Sequence, residues 1–245
     1  MTPTRFGISY FGVRDPDHYR ADLAEIERQG FEWVLFPFTH DDALWERSTF
    51  TDLVATARDL GLTTVISPWG GSEFGGEGVQ TSLPVIDWLM RAKVTGADVL
   101  HVDEPRVATT SLPDILDLWG DDARVWLTIQ PNRAAELPAP IVDRVGALGT
   151  DAYDGDLAER VRTTEAFGAA TGRLDLAWVQ AFRIADGDEA VVGQVTRAMA
   201  ALAPLVGVWG WKGSTGRGDL RSANPTLVQE AVAAAIRETR FTRVA

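Results

Sequence analysis

The chain has 245 residues, 45% of them hydrophobic, and carries a formal net charge of -12 with a pI near 4.7. Nucleic acid and anionic membranes would repel such an acidic protein, so neither is expected as a partner. The sequence has no cysteine, which excludes disulfides, thiolate metal sites and a cysteine nucleophile. Its first residues show no signal-peptide pattern and no stretch has membrane-spanning length, so we expect a cytoplasmic protein.

Apolar segments bounded by turn signals predict eight strands, which alternate with helices along the whole chain. The predicted strands cover residues 5–13, 33–38, 63–69, 98–103, 124–130, 150–153, 176–182 and 206–211. The predicted helices cover residues 15–29, 41–60, 84–94, 112–118, 140–147, 156–170, 188–202 and 224–240. Two helices begin with an N-cap residue followed by proline, at Asp15-Pro16 and Asn224-Pro225. The pattern predicts a single (β/α)8 TIM barrel over residues 1–245, close to the usual length of about 250.

A doubly wound open sheet is the alternative architecture for alternating strands and helices. That fold would need a glycine-rich phosphate turn after the first strand. Gly12-Val13-Arg14 has no such pattern, so the sequence favours the barrel.

TIM-barrel active sites lie at the carboxyl ends of the strands. The position of a residue relative to a predicted strand end therefore indicates whether it can belong to the active site. Residues near those ends are acidic, aromatic and amide-bearing, which suits a carbohydrate ligand: polar groups bond its hydroxyls and Trp rings cover its apolar faces. We expect a small sugar or oligosaccharide substrate and no cofactor. The candidate substrate-binding residues are Tyr10, His40, Trp69, Glu77, His101, Gln130, Tyr153, Gln180, Trp209, Trp211 and Lys212.

Strand 4 ends in two adjacent acids, Asp103 and Glu104, followed by Pro105. Alternation places His101 and Asp103 on the face opposite the apolar pair Leu100 and Val102, so both should face the barrel lumen. Neighbouring carboxylates repel, and at least one should therefore have a raised pKa. Such a group can donate a proton near neutral pH. We expect His101 to orient Asp103 or a substrate hydroxyl.

The Glu104-Pro105 dipeptide closing strand 4 resembles the acid/base position of many TIM-barrel glycoside hydrolases. The adjacent acids Asp103 and Glu104 also resemble those of the substrate-assisted hexosaminidases, where the Asp orients a 2-acetamido group that Tyr153 could help to hold. Together with this dipeptide, the stretch PWGGSEFGGEG from Pro68 is similar to a set of uncharacterised predicted glycosidases. The resemblance implies a glycoside hydrolase with Glu104 as general acid/base.

The chain departs from the glycosidase pattern at strand 7. Those families most often place a second Glu there, whereas residues 176–182 contain no carboxylate that could serve at the strand end. The second carboxylate is then Asp151, Asp103, Asp154 or Glu77, with Asp151 the best candidate. The two carboxyl groups would be about 5–5.5 Å apart for retention and about 6.5–9.5 Å apart for inversion.

A metal-dependent sugar isomerase, epimerase or aldolase is the alternative function. The set His40, Glu77, His101, Asp103 and Glu104 could supply nitrogen and oxygen ligands to a divalent ion. Only three histidines occur in the chain, which excludes a His-rich site.

Two further interpretations remain open. The loop 213–218 with Arg217 could bind phosphate, and Lys212 could form a Schiff base, although the acidic rim opposes a phosphate. A sugar-binding barrel without catalysis is the last alternative.

Overall fold

A computed structural model describes residues 3–12, 16–38, 47–68, 83–105, 112–212 and 221–242. Eight parallel strands close into a barrel in chain order, and an α-helix follows each strand. The predicted (β/α)8 fold is confirmed. None of the helices within the described ranges is long and apolar enough to span a membrane.

The strands are short. They are β1 Arg5–Ser9, β2 Trp33–Phe38, β3 Thr63–Pro68, β4 Val99–Asp103, β5 Val125–Thr128, β6 Ala147–Thr150, β7 Leu176–Gln180 and β8 Leu205–Trp209. The helices are α1 Pro16–Arg28, α2 Arg47–Asp59, α3 Leu83–Val94, α4 Leu112–Trp119, α5 Ala139–Arg144, α6 Leu157–Thr171, α7 Glu189–Leu202 and α8 Pro225–Thr242. Two 3-10 turns, Asp122–Arg124 and Pro131–Glu136, flank β5.

The sixth strand differs from its prediction. It covers residues 147–150, not 150–153, and the preceding helix ends at Arg144. Gly149 explains the difference, since a Cβ at this position would lie 2.3 Å from the carbonyl oxygen of Leu176 on β7. Glycine therefore permits the close pairing that sequence patterns treat as a break. As a result Asp151 and Tyr153 lie beyond the strand, on the loop at the barrel mouth.

Four tryptophans fill the barrel lumen. The Trp33 ring meets the rings of Trp126 and Trp178 edge to face, with centroids 5.1 and 5.6 Å apart, and Trp178 meets Trp209 at 5.4 Å. Gly7 on β1 makes room for this packing, because a Cβ there would lie 1.8 Å from the Trp33 ring. The four tryptophan rings, packed beside Gly7 of β1, thus form a closed floor of the lumen under the mouth.

A second apolar layer lies between the barrel and the helices. On β4, Leu100 and Val102 belong to this outer layer, whereas Val99 packs in the lumen with the tryptophans. This alternation turns His101 and Asp103 inward, as the sequence predicts. The floor and the closed strand order together place the carboxyl ends of β4, β5 and β6 side by side.

Candidate functional site

The candidate site is a group of acidic and amide side chains at the mouth. Asp103 is the last residue of β4 and Glu104 comes directly after it. Gln130 lies just beyond β5, and Asp151 and Tyr153 lie just beyond β6. These three strands are hydrogen-bonded neighbours, which brings residues nearly 50 positions apart into contact. The structure thus groups all three predicted catalytic residues with two of the predicted substrate-binding residues.

Glu104 has an unusual backbone. Its φ is +42°, in the left-handed region that residues with a Cβ rarely adopt. The conformation is held from β5, since the Glu104 N–H donates a 2.9 Å hydrogen bond to the carbonyl oxygen of Thr128. Gln130 Nε2 donates a second 2.9 Å bond to Glu104 Oε2. Both contacts fix the direction of the carboxyl group, and such backbone strain is typical of functional positions.

Asp103 remains protonated at neutral pH. Burial raises the pKa of its carboxyl to about 8, and the adjacent Glu104 charge adds to the effect. The predicted consequence of two adjacent acids is therefore present, although loss of hydration contributes more than repulsion does.

Asp151 shares a hydrogen bond with Glu104. The pKa of Asp151 is raised well above its usual value, first by burial, then by this hydrogen bond and by the charges of Glu104 and Asp103. Asp151 therefore keeps its proton at a pH where an ordinary aspartate has lost it. The Oδ1 atom of Asp151 is buried and has no hydrogen-bond partner within the described parts of the chain.

Tyr153 adds a second neutral donor. Burial raises the pKa of its phenol well above 10, and the charges of Asp151, Asp103 and Glu104 act in the same direction. Its ring meets Phe182 edge to face, at 5.5 Å between centroids. The phenol therefore stays protonated beside the acids.

His101 lies one layer below the mouth and is fully buried. Its Nδ1 is 3.0 Å from Ser67 Oγ and its Nε2 is 2.7 Å from Thr128 Oγ1, which also accepts a 2.8 Å bond from Trp178 Nε1. Burial lowers the pKa of the imidazole to about 3, so it is neutral. The expected bond to Asp103 is absent from the described contacts, and His101 orients two hydroxyls instead.

Three predicted substrate-binding residues are buried in the packed layers of the barrel. Tyr10 is 0% exposed and lies in the outer layer, where its hydroxyl donates to Asp22 Oδ2 of α1 at 2.9 Å. Trp209 is 6% exposed and packs in the lumen, and Trp211 is 3% exposed in the outer layer. Strand β8 ends at Trp209, two residues before its predicted end. Neither ring offers an open face for stacking a sugar.

The remaining predicted residues are less closely tied to the acids. Gln180 is held by Phe182, whose carbonyl oxygen accepts from Nε2 at 3.0 Å, and by Arg160 at 3.4 Å. The Lys212 ammonium lies 5.4 Å from the centre of the Trp211 ring, and its charge contributes to lowering the pKa of Glu25 on α1. Asp154 is exposed on the loop after β6, as expected of a turn residue.

Several predictions fall outside the described residues. They concern His40, Trp69, Glu77 and the loop 213–218.

Sequence reasoning missed the hydroxyls that support the site, Ser67 and Thr128. Both alternate inward on their strands with lumen residues, Val65 on β3 and Trp126 on β5. Alternation was therefore the available signal, but neither residue type is distinctive enough to single out.

A cleft of about 810 Å³ opens from the acids toward the outside of the barrel, between the Pro131–Glu136 turn and α6. Glu104, Gln130, Asp151 and Tyr153 form its inner end. The outer part is lined by Pro131, Asn132, Ala134, Ala135, Ala152, Asp154, Glu159, Thr163, Ala166, Phe167 and Ala170. Pockets for whole small-molecule ligands measure roughly 300–1,000 Å³, so this cleft is of ligand size.

The proposed metal ligands do not fit a divalent ion where the structure describes them. Both ring nitrogens of His101 are engaged by hydroxyls, and Asp103 keeps its proton to a pH of about 8. Within the described ranges no group of three or more His, Asp or Glu side chains could hold a metal. Two of the five proposed ligands, His40 and Glu77, lie outside those ranges.

Comparison with known proteins gives structural likeness but no family. No family model matches the chain, and no curated protein sequence matches it. Truncated 3-deoxy-D-arabino-heptulosonate 7-phosphate synthase from Thermotoga maritima superimposes with a TM-score of 0.59 at 13% identity, covering 99% of this chain and 87% of that one. D-allulose 3-epimerase from Methylomonas sp. gives 0.58 at 14% identity, covering 99% of both chains.

Tryptophan synthase from M. tuberculosis is also similar, with a TM-score of 0.56 at 14% identity over 96% of this chain and 93% of that one. Such distant likenesses establish the barrel fold alone. They give no support to the glycoside hydrolase resemblance, since these structures carry the names of synthases and an epimerase.

Proposed function

We propose that the protein is an enzyme that moves a proton at a carbon beside the carbonyl group of a sugar-like substrate, as isomerases, epimerases and aldolases do. One observation carries the proposal. Two neutral donors, the Asp103 carboxyl and the Tyr153 phenol, lie beside Glu104, whose carboxyl is held by Gln130. A protonated carboxyl and a phenol are a donor pair suited to an enolate oxygen.

The residues have separate roles in this reaction. The Glu104 carboxylate accepts the proton from carbon, the C–H electron pair forms a carbon–carbon double bond, and the carbonyl electrons move to oxygen. Asp103 and Tyr153 donate hydrogen bonds to that oxygen. Protonation of the same carbon from the opposite face by Asp151, which keeps its proton, gives an epimer. Return of the proton to the former carbonyl carbon gives an isomer when Asp103 donates its proton to the enolate oxygen and takes up the hydroxyl proton of the neighbouring carbon.

Glu104 contributes to raising the pKa of Asp151, which favours Asp151 as a proton donor beside the Glu104 base. Glycoside hydrolysis by the same pair would require the two carboxyl groups to stand about 5 Å or more apart, with room for the anomeric carbon or a water. One similar structure is named for a D-allulose 3-epimerase, which agrees with the proposal but does not carry it.

Glycoside hydrolysis remains a second candidate because of the cleft, which could hold an oligosaccharide beside Glu104. In that case Asp103 would orient a 2-acetamido group and Glu104 would protonate the leaving oxygen, so Asp151 would not be needed as the second carboxylate.

One pair of assays separates the candidates. Proton transfer at carbon predicts that ketohexoses and aldohexoses incubated in D2O gain deuterium beside the carbonyl, which NMR detects. Glycoside hydrolysis predicts release of new reducing ends from a glycan panel. Reducing ends without deuterium uptake would reject the main proposal in favour of the second.

A further inference from the structure

We propose that the cleft between the Pro131–Glu136 turn and α6 binds the non-reacting end of the substrate, and that this end is a hydroxyl-rich group without negative charge, preferably a cationic amino sugar. The inference rests on the proposed function for the position of the reacting end, at Glu104. It adds the substrate class and the residues that select it.

Shape is the first support. The cleft is continuous with the acid pair and runs outward along one face of α6, past Thr163 and Ala166 to Ala170. Small side chains on this face leave the space open. A substrate that only occupied the mouth would leave most of the 810 Å³ unfilled.

Charge is the second support. Among the described residues that line the cleft, four are carboxylic acids and none is Lys, Arg or His. Two of the four, Asp154 and Glu159, are exposed toward the outer end. The cations on the two elements that form the cleft are engaged elsewhere where their contacts are described: Arg160 bonds the Gly155 carbonyl oxygen and Gln180, and Arg133 pairs with Glu136. A phosphate or carboxylate in the outer cleft would therefore meet repulsion, and an ammonium group would meet attraction.

Unused hydrogen-bonding capacity is the third support. Asp151 lines the cleft, and its Oδ1 atom is buried without a hydrogen-bond partner within the described chain. Buried polar atoms are normally bonded, so an unpaired carboxyl oxygen on a cleft residue points to a ligand group that bonds it. A sugar hydroxyl can fill that role whichever Asp151 oxygen carries the proton, because a hydroxyl both donates and accepts.

Binding of three matched disaccharides tests the charge preference. The probes are cellobiose, which is neutral, the β-1,4-linked glucosamine dimer, which is cationic, and cellobionate, which is anionic. Titration calorimetry on the Glu104→Gln protein measures affinity without turnover. We expect the glucosamine dimer to bind about fivefold more tightly than cellobiose, and cellobionate to bind most weakly. Tightest binding of cellobionate, or no binding of any disaccharide, would overturn the proposal.

Exposed positions on α6 supply variants that should fold normally. Ala166→Trp fills the cleft and should weaken binding of the glucosamine dimer by about tenfold or more, while Ala169→Trp, outside the cleft on the same helix, should not. Glu159→Lys should erase the preference for the cationic dimer, and Glu165→Lys, the same charge change outside the cleft, should retain it. Equal effects of Ala166→Trp and Ala169→Trp on binding would reject the cleft as the binding site. Equal effects of Glu159→Lys and Glu165→Lys on the charge preference would reject it as well.

The outcome separates this inference from the proposed function. If deuterium exchange occurs and Ala166→Trp alters neither binding nor turnover, the cleft assignment is wrong and the chemistry stands. If the dimers bind as expected but no carbonyl substrate exchanges, the cleft stands and the chemistry is wrong.

Discussion

The carbonyl oxygen of Thr128 accepts a 2.9 Å hydrogen bond from the backbone N–H of Glu104, and this bond joins the floor of the barrel to its mouth. The Thr128 hydroxyl is itself held by His101 at 2.7 Å and by Trp178 at 2.8 Å. Three strands therefore support the left-handed conformation of Glu104. Removal of that support should disturb the position of the carboxyl group before it disturbs the fold.

Replacement of Glu104 by Asn should stabilise the protein while abolishing activity. Asn tolerates the left-handed region better than Glu does, and the change removes a charge beside Asp103 and Asp151. We expect a gain of about 1 kcal/mol, or roughly 2–4 °C in melting temperature. Thermal unfolding followed by circular dichroism measures this, with Glu165→Asn, an exposed helical site, as the control that should show no gain. A lower melting temperature for Glu104→Asn would mean that the backbone is not strained.

Asp103→Asn should increase stability at neutral pH but not in acid. The pKa of Asp103 rises from 3.8 to about 8 on folding, so between these values the unfolded chain releases a proton that the folded chain retains. Wild-type stability contributed by this carboxyl is present below pH 3.8 and is lost as the pH rises through 8. The variant should therefore gain about 1–3 kcal/mol over wild type between pH 4 and pH 8, measured by urea unfolding.

The same substitution also tests the role of Asp103 as a hydrogen-bond donor. If the neutral carboxyl supports the enolate, wild-type kcat/KM should fall as the pH rises above about 8. Asn cannot ionise but still donates through its amide, so that variant should be slower and should lack this alkaline decrease. An unchanged alkaline limb in Asp103→Asn would assign it to another group.

His101→Leu should destabilise the protein in a pH-dependent way. The change leaves the hydroxyls of Ser67 and Thr128 without their imidazole partner, at about 1–3 kcal/mol for each unpaired group. Folding lowers the pKa of His101 from 6.5 to about 3. Wild type therefore loses stability as the pH falls from 6.5 toward 3, whereas the variant has no imidazole at this position and does not lose stability in this way. The deficit of the variant should shrink from pH 7 to pH 4, and a constant deficit would show that His101 titrates normally.

Gly7 and Trp33 should be strongly coupled. Gly7→Ala places a methyl carbon where the Trp33 ring lies and should cost about 3 kcal/mol or more. Trp33→Leu frees that space, and the Trp33 Nε1 has no hydrogen-bond partner among the described residues that would be lost. A double-mutant cycle should give a coupling of about 1–3 kcal/mol, and additive effects would contradict the described packing.

The fold was predictable because its signals are local and repeated. Alternation on β4 placed His101 and Asp103 in the lumen, and counting strands placed Glu104 at the mouth. The position of β6 was not predictable from local sequence. Glycine is needed at position 149 because the backbone of Leu176 on β7 leaves no room for a Cβ, and a contact between separate strands has no local sequence signal. Tyr10 lies in the helix layer because it continues the outward alternation of Phe6 and Ile8. Trp211 also lies in that layer, although two residues earlier Trp209 packs in the lumen, so alternation does not extend past the end of β8.

The most direct test of the proposed chemistry is deuterium uptake beside the carbonyl of a sugar panel in D2O, compared between wild type and Glu104→Gln. The substitution keeps the shape of the side chain and removes the base, so the melting temperature should not fall. We predict exchange with wild type on at least one ketose or aldose, and a loss of about 100-fold or more in Glu104→Gln. Equal exchange rates in the two proteins would contradict the assignment of Glu104 as the base.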